Sequence, residues 1–162
     1  MTDELREFIG AGEAAVREAG LYLRSNFGRG VEASYKGAVD LVTPFDLGAQ
    51  EILVGRLSAA FPDHGFLAEE GLARAGTSEC RWVIDPLDGT TNFAHGLPIF
   101  AVAIALYAAG APRVGVVYAP ALEWEFAAVA GAGATLNGRP LTVSSVDVLD
   151  RALLVTGFPY DR

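Results

Sequence analysis

The sequence has few cysteine, histidine and basic residues, and each shortage excludes a class of protein. Its single cysteine, Cys80, rules out a disulfide within the chain. Its two histidines, His64 and His95, form no cluster with the spacing of a zinc site, so we interpret them as packing or surface residues. Twelve Lys and Arg residues stand against twenty Asp and Glu residues, a net charge of −8. This acidic balance argues against nucleic acid as a partner, because a phosphate backbone binds basic surfaces.

Long apolar segments are also missing. The longest, residues 97–109, is interrupted by Pro98 and is too short to span a bilayer. The N-terminus is acidic and charged, unlike a secretory leader. We therefore expect a cytoplasmic protein that does not associate with a membrane. The hydrophobic fraction of 51% in 162 residues predicts one domain, over residues 1–162, with a substantial core.

Two helices are predicted in the first part of the chain. Apolar residues recur at helical spacing over residues 3–27, and Gly28 ends this segment. A second helix is predicted to begin after Thr43, which suits an N-cap. Pro44 then fits the first helical position and Asp46 the third.

The rest of the chain is predicted to be mainly β-structure. The predicted strands are residues 66–68, 81–84, 100–108, 113–119, 123–130 and 152–156, with a hairpin over 134–141 that has Asn-Gly at its tip. Residues 72–80 are predicted to be a loop. Two N-terminal helices packed on a mainly antiparallel sheet make the predicted fold α+β.

Acidic side chains follow two of the predicted strands. Glu69 and Glu70 follow the first strand, and Asp85 and Asp88 follow the strand at 81–84. If these two strands are neighbours, three carboxylates converge at one end of the sheet, and carboxylate oxygens are ligands that suit Mg²⁺. The alternative is structural, because Asp-Pro and Asp-Gly are common turn dipeptides and Glu69-Glu70 is typical of a solvated turn.

The residues after Asp88 add a candidate anion site. Gly89, Thr90 and Thr91 offer backbone N–H groups that can face an anion if a helix begins there. A divalent cation beside such groups is suited to the hydrolysis of a phosphate ester. Asp46 has two interpretations, helix capping and holding a threonine hydroxyl that orients water, and the two are compatible.

Residues 82–93, Trp-Val-Ile-Asp-Pro-Leu-Asp-Gly-Thr-Thr-Asn-Phe, resemble the signature of the inositol monophosphatase family. Further similar segments occur in the same order, at residues 40–46, 66–70, 131–138 and 156–159. The resemblance implies the N-terminal half of a layered αβαβα fold. It also implies a phosphoric monoester hydrolase, dependent on Mg²⁺ and sensitive to lithium, that acts on a small phosphomonoester such as inositol monophosphate.

The resemblance also implies roles for individual residues. The implied metal ligands are Glu69, Asp85, the backbone carbonyl of Leu87, and Asp88. The implied catalytic residues are Glu69, Thr90 and Asp46, which orient and activate the attacking water. The implied substrate-binding residues are Leu87, Asp88, Gly89 and Thr90. Lys36, in the loop after the first helix, is expected to come near the metal site.

Family members are longer than this chain, and their second half carries a Trp-Asp-x-Ala motif that this sequence lacks. We therefore expect the chain to correspond to the N-terminal half alone, with exposed apolar surface and an incomplete second metal site. The alternative function is a catalytically incomplete half-domain that binds metal or a protein partner. That partner is either a second copy of the chain or the absent C-terminal half. The particular phosphomonoester is left open.

Overall fold

A computed structural model describes residues 1–29, 34–35 and 41–156, so Lys36 lies outside the described residues. The helices are α1 (Asp3–Asn26), α2 (Pro44–Ala60) and α3 (Thr90–Ala94), with a 3₁₀ turn at Leu149–Arg151. The strands are β1 (Ser34–Tyr35), β2 (Leu41–Val42), β3 (Gly65–Ala68), β4 (Ala73–Arg74), β5 (Cys80–Asp88), β6 (Ala101–Ala108), β7 (Ala111–Ala119), β8 (Trp124–Val129), β9 (Gly133–Leu136) and β10 (Arg139–Pro140).

One eight-stranded sheet organises the described part of the chain. Its strand order is β10-β9-β8-β7-β6-β5-β3-β4, and β1 and β2 pair separately. Only β3 and β5 pair in parallel, and every other neighbouring pair in this sheet is antiparallel. The prediction of an α+β fold with a mainly antiparallel sheet is confirmed.

Helices α1 and α2 cover one face of this sheet. Helix α1 is amphipathic, and the buried side chains of both helices meet those strand residues that point towards them. The core includes Val16 and Leu23 of α1, Leu53 and Leu57 of α2, and Trp82, Ile84, Val102, Ile104 and Leu106 of the sheet. Side chains on the strands alternate between faces, so Val83 and Ala103 point away from the helices. There they contribute to an open apolar groove of about 480 Å³.

Two strand predictions are corrected by the structure. Residues 152–156 form no strand, and Leu153 and Val155 are 94% and 93% exposed. A strand requires a pairing partner as well as β-branched and apolar residues, and none of the described residues pairs with this segment. The predicted loop at 72–80 contains β4, which pairs antiparallel with β3. No helix among the described residues is long and apolar enough to cross a membrane.

Candidate active site

Strand β5 extends further than predicted and carries both of its aspartates. The prediction ended the strand at Ile84, where the apolar residues give way to Asp85. The structure continues it to Asp88, past a register shift. Asp85 pairs with Ala103 and Asp88 with Ala101, so β5 contains one more residue than β6 between these pairs. Such a bulge accommodates a proline and breaks the alternation of faces, which leaves Asp88 exposed rather than against the helices.

The parallel pairing of β3 with β5 brings the acidic residues together. Ala68 lies opposite Ile84, and the Glu69 N–H donates to the Ile84 carbonyl at 3.1 Å. The next residue of each strand is therefore an acid, and the side chains of Glu69 and Asp85 share a hydrogen bond. The predicted convergence required these two strands to be neighbours, and β3 and β5 pair directly in the sheet.

Burial and the neighbouring acids make Asp85 an unusually weak acid. Burial raises its pKa to about 7, and the charge of Glu69, its hydrogen bond to Glu69 and the charge of Asp88 act in the same direction. A hydrogen bond from the Leu87 N–H to Asp85 Oδ1, at 3.1 Å, opposes them. Three mutually repelling carboxyl groups are a chemical environment that a divalent cation would relieve.

The carboxylates alone do not form a complete metal site. Within residues 1–29, 34–35 and 41–156, no three His, Cys, Asp or Glu side chains are grouped so that they could hold a metal ion. The carbonyl oxygen of Leu87, which lies between Asp85 and Asp88 on β5, is a further oxygen donor and lies 2.9 Å from Thr90 Oγ1. The oxygen donors present fit a hard cation such as Mg²⁺, with a carbonyl completing the set.

Gly89 joins β5 to α3 and cannot be replaced without strain. Its φ is +86°, in the left-handed region that favours glycine. A Cβ built at this position would lie 2.9 Å from the Ile99 carbonyl oxygen. Helix α3 then begins at Thr90, which meets the condition set for the candidate anion site, and its first N–H groups have no partner within the helix.

Thr90, Asp46 and Thr43 form one hydrogen-bond network. Thr90 Oγ1 lies 2.9 Å from Asp46 Oδ1, and Asp46 is only 1% exposed. The Thr43 N–H and hydroxyl donate to Asp46 Oδ2 at 2.8 and 2.6 Å. This is the predicted capping box of α2, and Asp46 therefore both caps the helix and contacts Thr90.

One residue near the site carries no separate signal in the sequence. Asn92 Nδ2 donates to the Ile99 carbonyl at 2.7 Å, and the Leu97 N–H donates to the Asn92 carbonyl at 2.8 Å. Asn92 thereby holds residues 97–99 beside Gly89. A lone asparagine near a helix start is usually a cap, so only the folded structure shows this contact.

The two histidines lie outside the site, as predicted. His64 is buried and accepts a hydrogen bond from Trp82 Nε1 at its Nδ1, at 3.1 Å. His95 is exposed, and its Nδ1 lies 2.8 Å from the Thr91 carbonyl. Burial raises the pKa of the half-buried Cys80 thiol, which places it far from a reactive thiolate.

Comparison with known proteins identifies the family. The sequence profile of the inositol monophosphatase family matches residues 4–162. The chain belongs to this family. The inositol-1-monophosphatase of Synechocystis is 44% identical over 162 residues, which are 98% of this chain and 56% of that protein. The Nus factor SuhB of Escherichia coli is 43% identical over 149 residues, which are 90% of this chain and 56% of that protein.

Solved structures of the inositol monophosphatase family agree with the fold. An inositol monophosphatase from Anabaena superposes with a TM-score of 0.85 at 37% identity, covering 98% of this chain and 57% of that one. The chain spans 56% to 59% of the length of the curated relatives it matches.

Proposed function

We propose that this chain forms the metal- and phosphate-binding part of a phosphatase that hydrolyses a small phosphomonoester, such as inositol monophosphate, in the cytoplasm. The strongest support is that Glu69 and Asp88 both lie close enough to Asp85 to raise its pKa, at one end of the sheet and beside Gly89 and Thr90. The names of the relatives support the substrate class.

The metal ligands in this proposal are the carboxylates of Glu69, Asp85 and Asp88 and the carbonyl of Leu87. Mg²⁺ bound there would lower the pKa of a water molecule and offset the negative charge of the phosphate. Lithium sensitivity, which the family resemblance implies, belongs to the same proposal. Lys36, which lies outside the described residues, stays a prediction as a neighbour of this site.

The residues around the metal ligands supply positioning. Thr90 Oγ1 donates to Asp46 Oδ1, which leaves its lone pairs to accept a hydrogen bond from the attacking water. Glu69, whose side chain is exposed, orients the same water and accepts its other proton. The N–H groups of Gly89 and Thr90 hold the phosphate oxygens, while Leu87 and Asp88 border the substrate.

Release of inorganic phosphate from inositol 1-phosphate tests the proposal. We expect release that requires Mg²⁺, falls when Li⁺ is added, and is abolished by Asp88→Asn. Asp150→Asn is the matched control, because Asp150 is an exposed aspartate in the 3₁₀ turn and is not among the proposed ligands, and it should keep the activity of the unmodified chain. Absence of release from correctly folded protein would reject the chain as an autonomous phosphatase.

A second candidate is a catalytically incomplete half-domain that binds a protein partner, here a second copy of the chain. The observation in its favour is the open apolar groove on the sheet face opposite the helices. Sedimentation velocity of the unmodified chain and of Val117→Lys, a change on this face, distinguishes the candidates. A stable dimer that the variant abolishes supports the second, and a monomer that releases phosphate supports the first.

A further inference from the structure

We infer that Thr43 is a positioning residue of the site, acting through Asp46 on the hydroxyl of Thr90. The inference rests on the proposed function and extends it to a residue that the family resemblance does not assign. Thr43 is the N-cap of α2 and is 1% exposed, so its side chain contacts neither solvent nor substrate.

The two oxygens of the Asp46 carboxylate have different hydrogen-bond partners. Oδ2 accepts two hydrogen bonds, and both come from Thr43, one from the backbone N–H and one from the hydroxyl. A carboxylate oxygen offers about two lone-pair sites, so Thr43 fills Oδ2. Oδ1 is thereby left to the Thr90 hydroxyl, 2.9 Å away.

The Thr90 hydroxyl has one proton and two possible acceptors. Thr90 Oγ1 lies 2.9 Å from Asp46 Oδ1 and 2.9 Å from the Leu87 carbonyl oxygen, and its one proton can serve only one of them at a time. Hydrogen bonds to a carboxylate are stronger than those to a neutral carbonyl. A carboxylate held in place by Thr43 therefore directs this proton to Asp46 and leaves the Leu87 carbonyl free of it.

Loss of the Thr43 hydroxyl would change the orientation of the Asp46 carboxylate. The terminal torsion of an aspartate has a broad, roughly two-fold preference, so the carboxylate turns once one of the donors to Oδ2 is gone. Its Oδ1 then no longer faces Thr90, and the hydroxyl turns towards the Leu87 carbonyl. This would alter both the Thr90 lone pairs available to the water and the Leu87 carbonyl available to the metal.

Three variants test this role. Thr43→Val removes the hydroxyl at nearly constant volume, and Thr43→Ser restores it. Thr2→Val is the control, because Thr2 caps α1 by accepting from the Leu5 N–H and takes no part in the network of Thr43, Asp46 and Thr90. Thermal unfolding measures the loss of each helix cap, and the NMR resonances of Thr90 measure its hydroxyl environment without requiring turnover.

We expect Thr43→Val to shift the Thr90 resonances and to lower kcat by roughly 10- to 100-fold, with KM little changed. Thr43→Ser should restore both, and Thr2→Val should lower the unfolding temperature without changing either. In an Asp46→Asn background, Thr43→Val should have a much smaller additional effect, since the two residues act as a unit.

Three results would overturn the inference: unshifted Thr90 resonances in Thr43→Val, no restoration by Thr43→Ser, or an equal loss of kcat in Thr2→Val. Failure of the unmodified chain to release phosphate would instead count against the proposed function. The resonances of Thr90 would still decide whether Thr43 controls its hydroxyl.

Discussion

The buried pair of His64 and Trp82 leads to a prediction about stability and pH. The indole N–H of Trp82, a residue with no exposed surface, donates to His64 Nδ1, so this nitrogen must be unprotonated. Burial lowers the pKa of His64 below its ordinary value of 6.5, against the opposing charges of Asp63 and Glu4. The folded state therefore takes up a proton at His64 less readily than the unfolded state does.

The contribution of His64 to the free energy of unfolding depends on pH. Above pH 6.5, the ordinary value, His64 is neutral in both states and its contribution to stability is complete. As the pH falls below that value, the unfolded state gains a proton at His64 before the folded state does. The stability that His64 contributes therefore decreases until the pH has fallen past the lowered pKa of the folded state. We expect the free energy of unfolding to decrease over this range because of His64.

His64→Phe tests the size of this effect. Phenylalanine keeps a ring against Phe61, whose ring stacks on His64 with centroids 4.8 Å apart, but it removes the acceptor of the Trp82 N–H. A buried donor without a partner costs about 1–3 kcal/mol. At about pH 7.5 the variant should be less stable by that amount, and by about pH 5 the difference should shrink as His64 itself becomes protonated.

Urea unfolding followed by circular dichroism measures these differences. Every other titrating group is shared by the two proteins, so the change in their difference with pH belongs to His64. His95→Asn, a change at the exposed histidine, is the control for removal of an imidazole and should not show the loss of about 1–3 kcal/mol at about pH 7.5. A difference that is constant with pH, or a variant as stable as the unmodified chain at about pH 7.5, would refute this account of the pair.

Two further predictions concern stability and have matched controls. Gly89→Ala should lower the free energy of unfolding by about 2 kcal/mol or more, whereas Gly28→Ala, at a similar φ of +79° but with open space around it, should cost about 1 kcal/mol. Equal losses in urea unfolding would contradict the close contact at Gly89. Arg17→Ala should cost about 1–2 kcal/mol, because Arg17 is bonded through two nitrogens to the buried Glu125. Arg24→Ala, which breaks an exposed ion pair, should cost less than about 0.5 kcal/mol, and the reverse order would contradict this reasoning.

The sequence predicted well those features that depend on neighbouring residues. The capping box of α2 could be predicted because Thr43, Pro44 and Asp46 satisfy the helix start among themselves. The hairpin at Asn137-Gly138 could be predicted because both residues adopt positive φ, as the turn requires. A helix start at residues 89–91 was only a condition of the candidate anion site, and the structure meets it because α3 begins at Thr90.

Features that depend on distant residues were predicted conditionally or wrongly. The convergence of Glu69 with Asp85 required β3 and β5 to be neighbours, which no local pattern shows. The extension of β5 through Pro86 depends on a bulge in its pairing with β6. The strand predicted at 152–156 had suitable residues, but no described strand pairs with it.

The sheet order also has a consequence for the rate at which the site forms during folding. Strands β6 to β10 each pair with the strand before them in sequence, so their contacts close short loops. The Thr90–Asp46 hydrogen bond instead joins residues 44 positions apart, and the parallel pairing of β3 with β5 is also not a hairpin. Contacts between distant residues form more slowly. A refolding chain should therefore show sheet structure by circular dichroism before it acquires the arrangement of acids and hydroxyls at the end of β5.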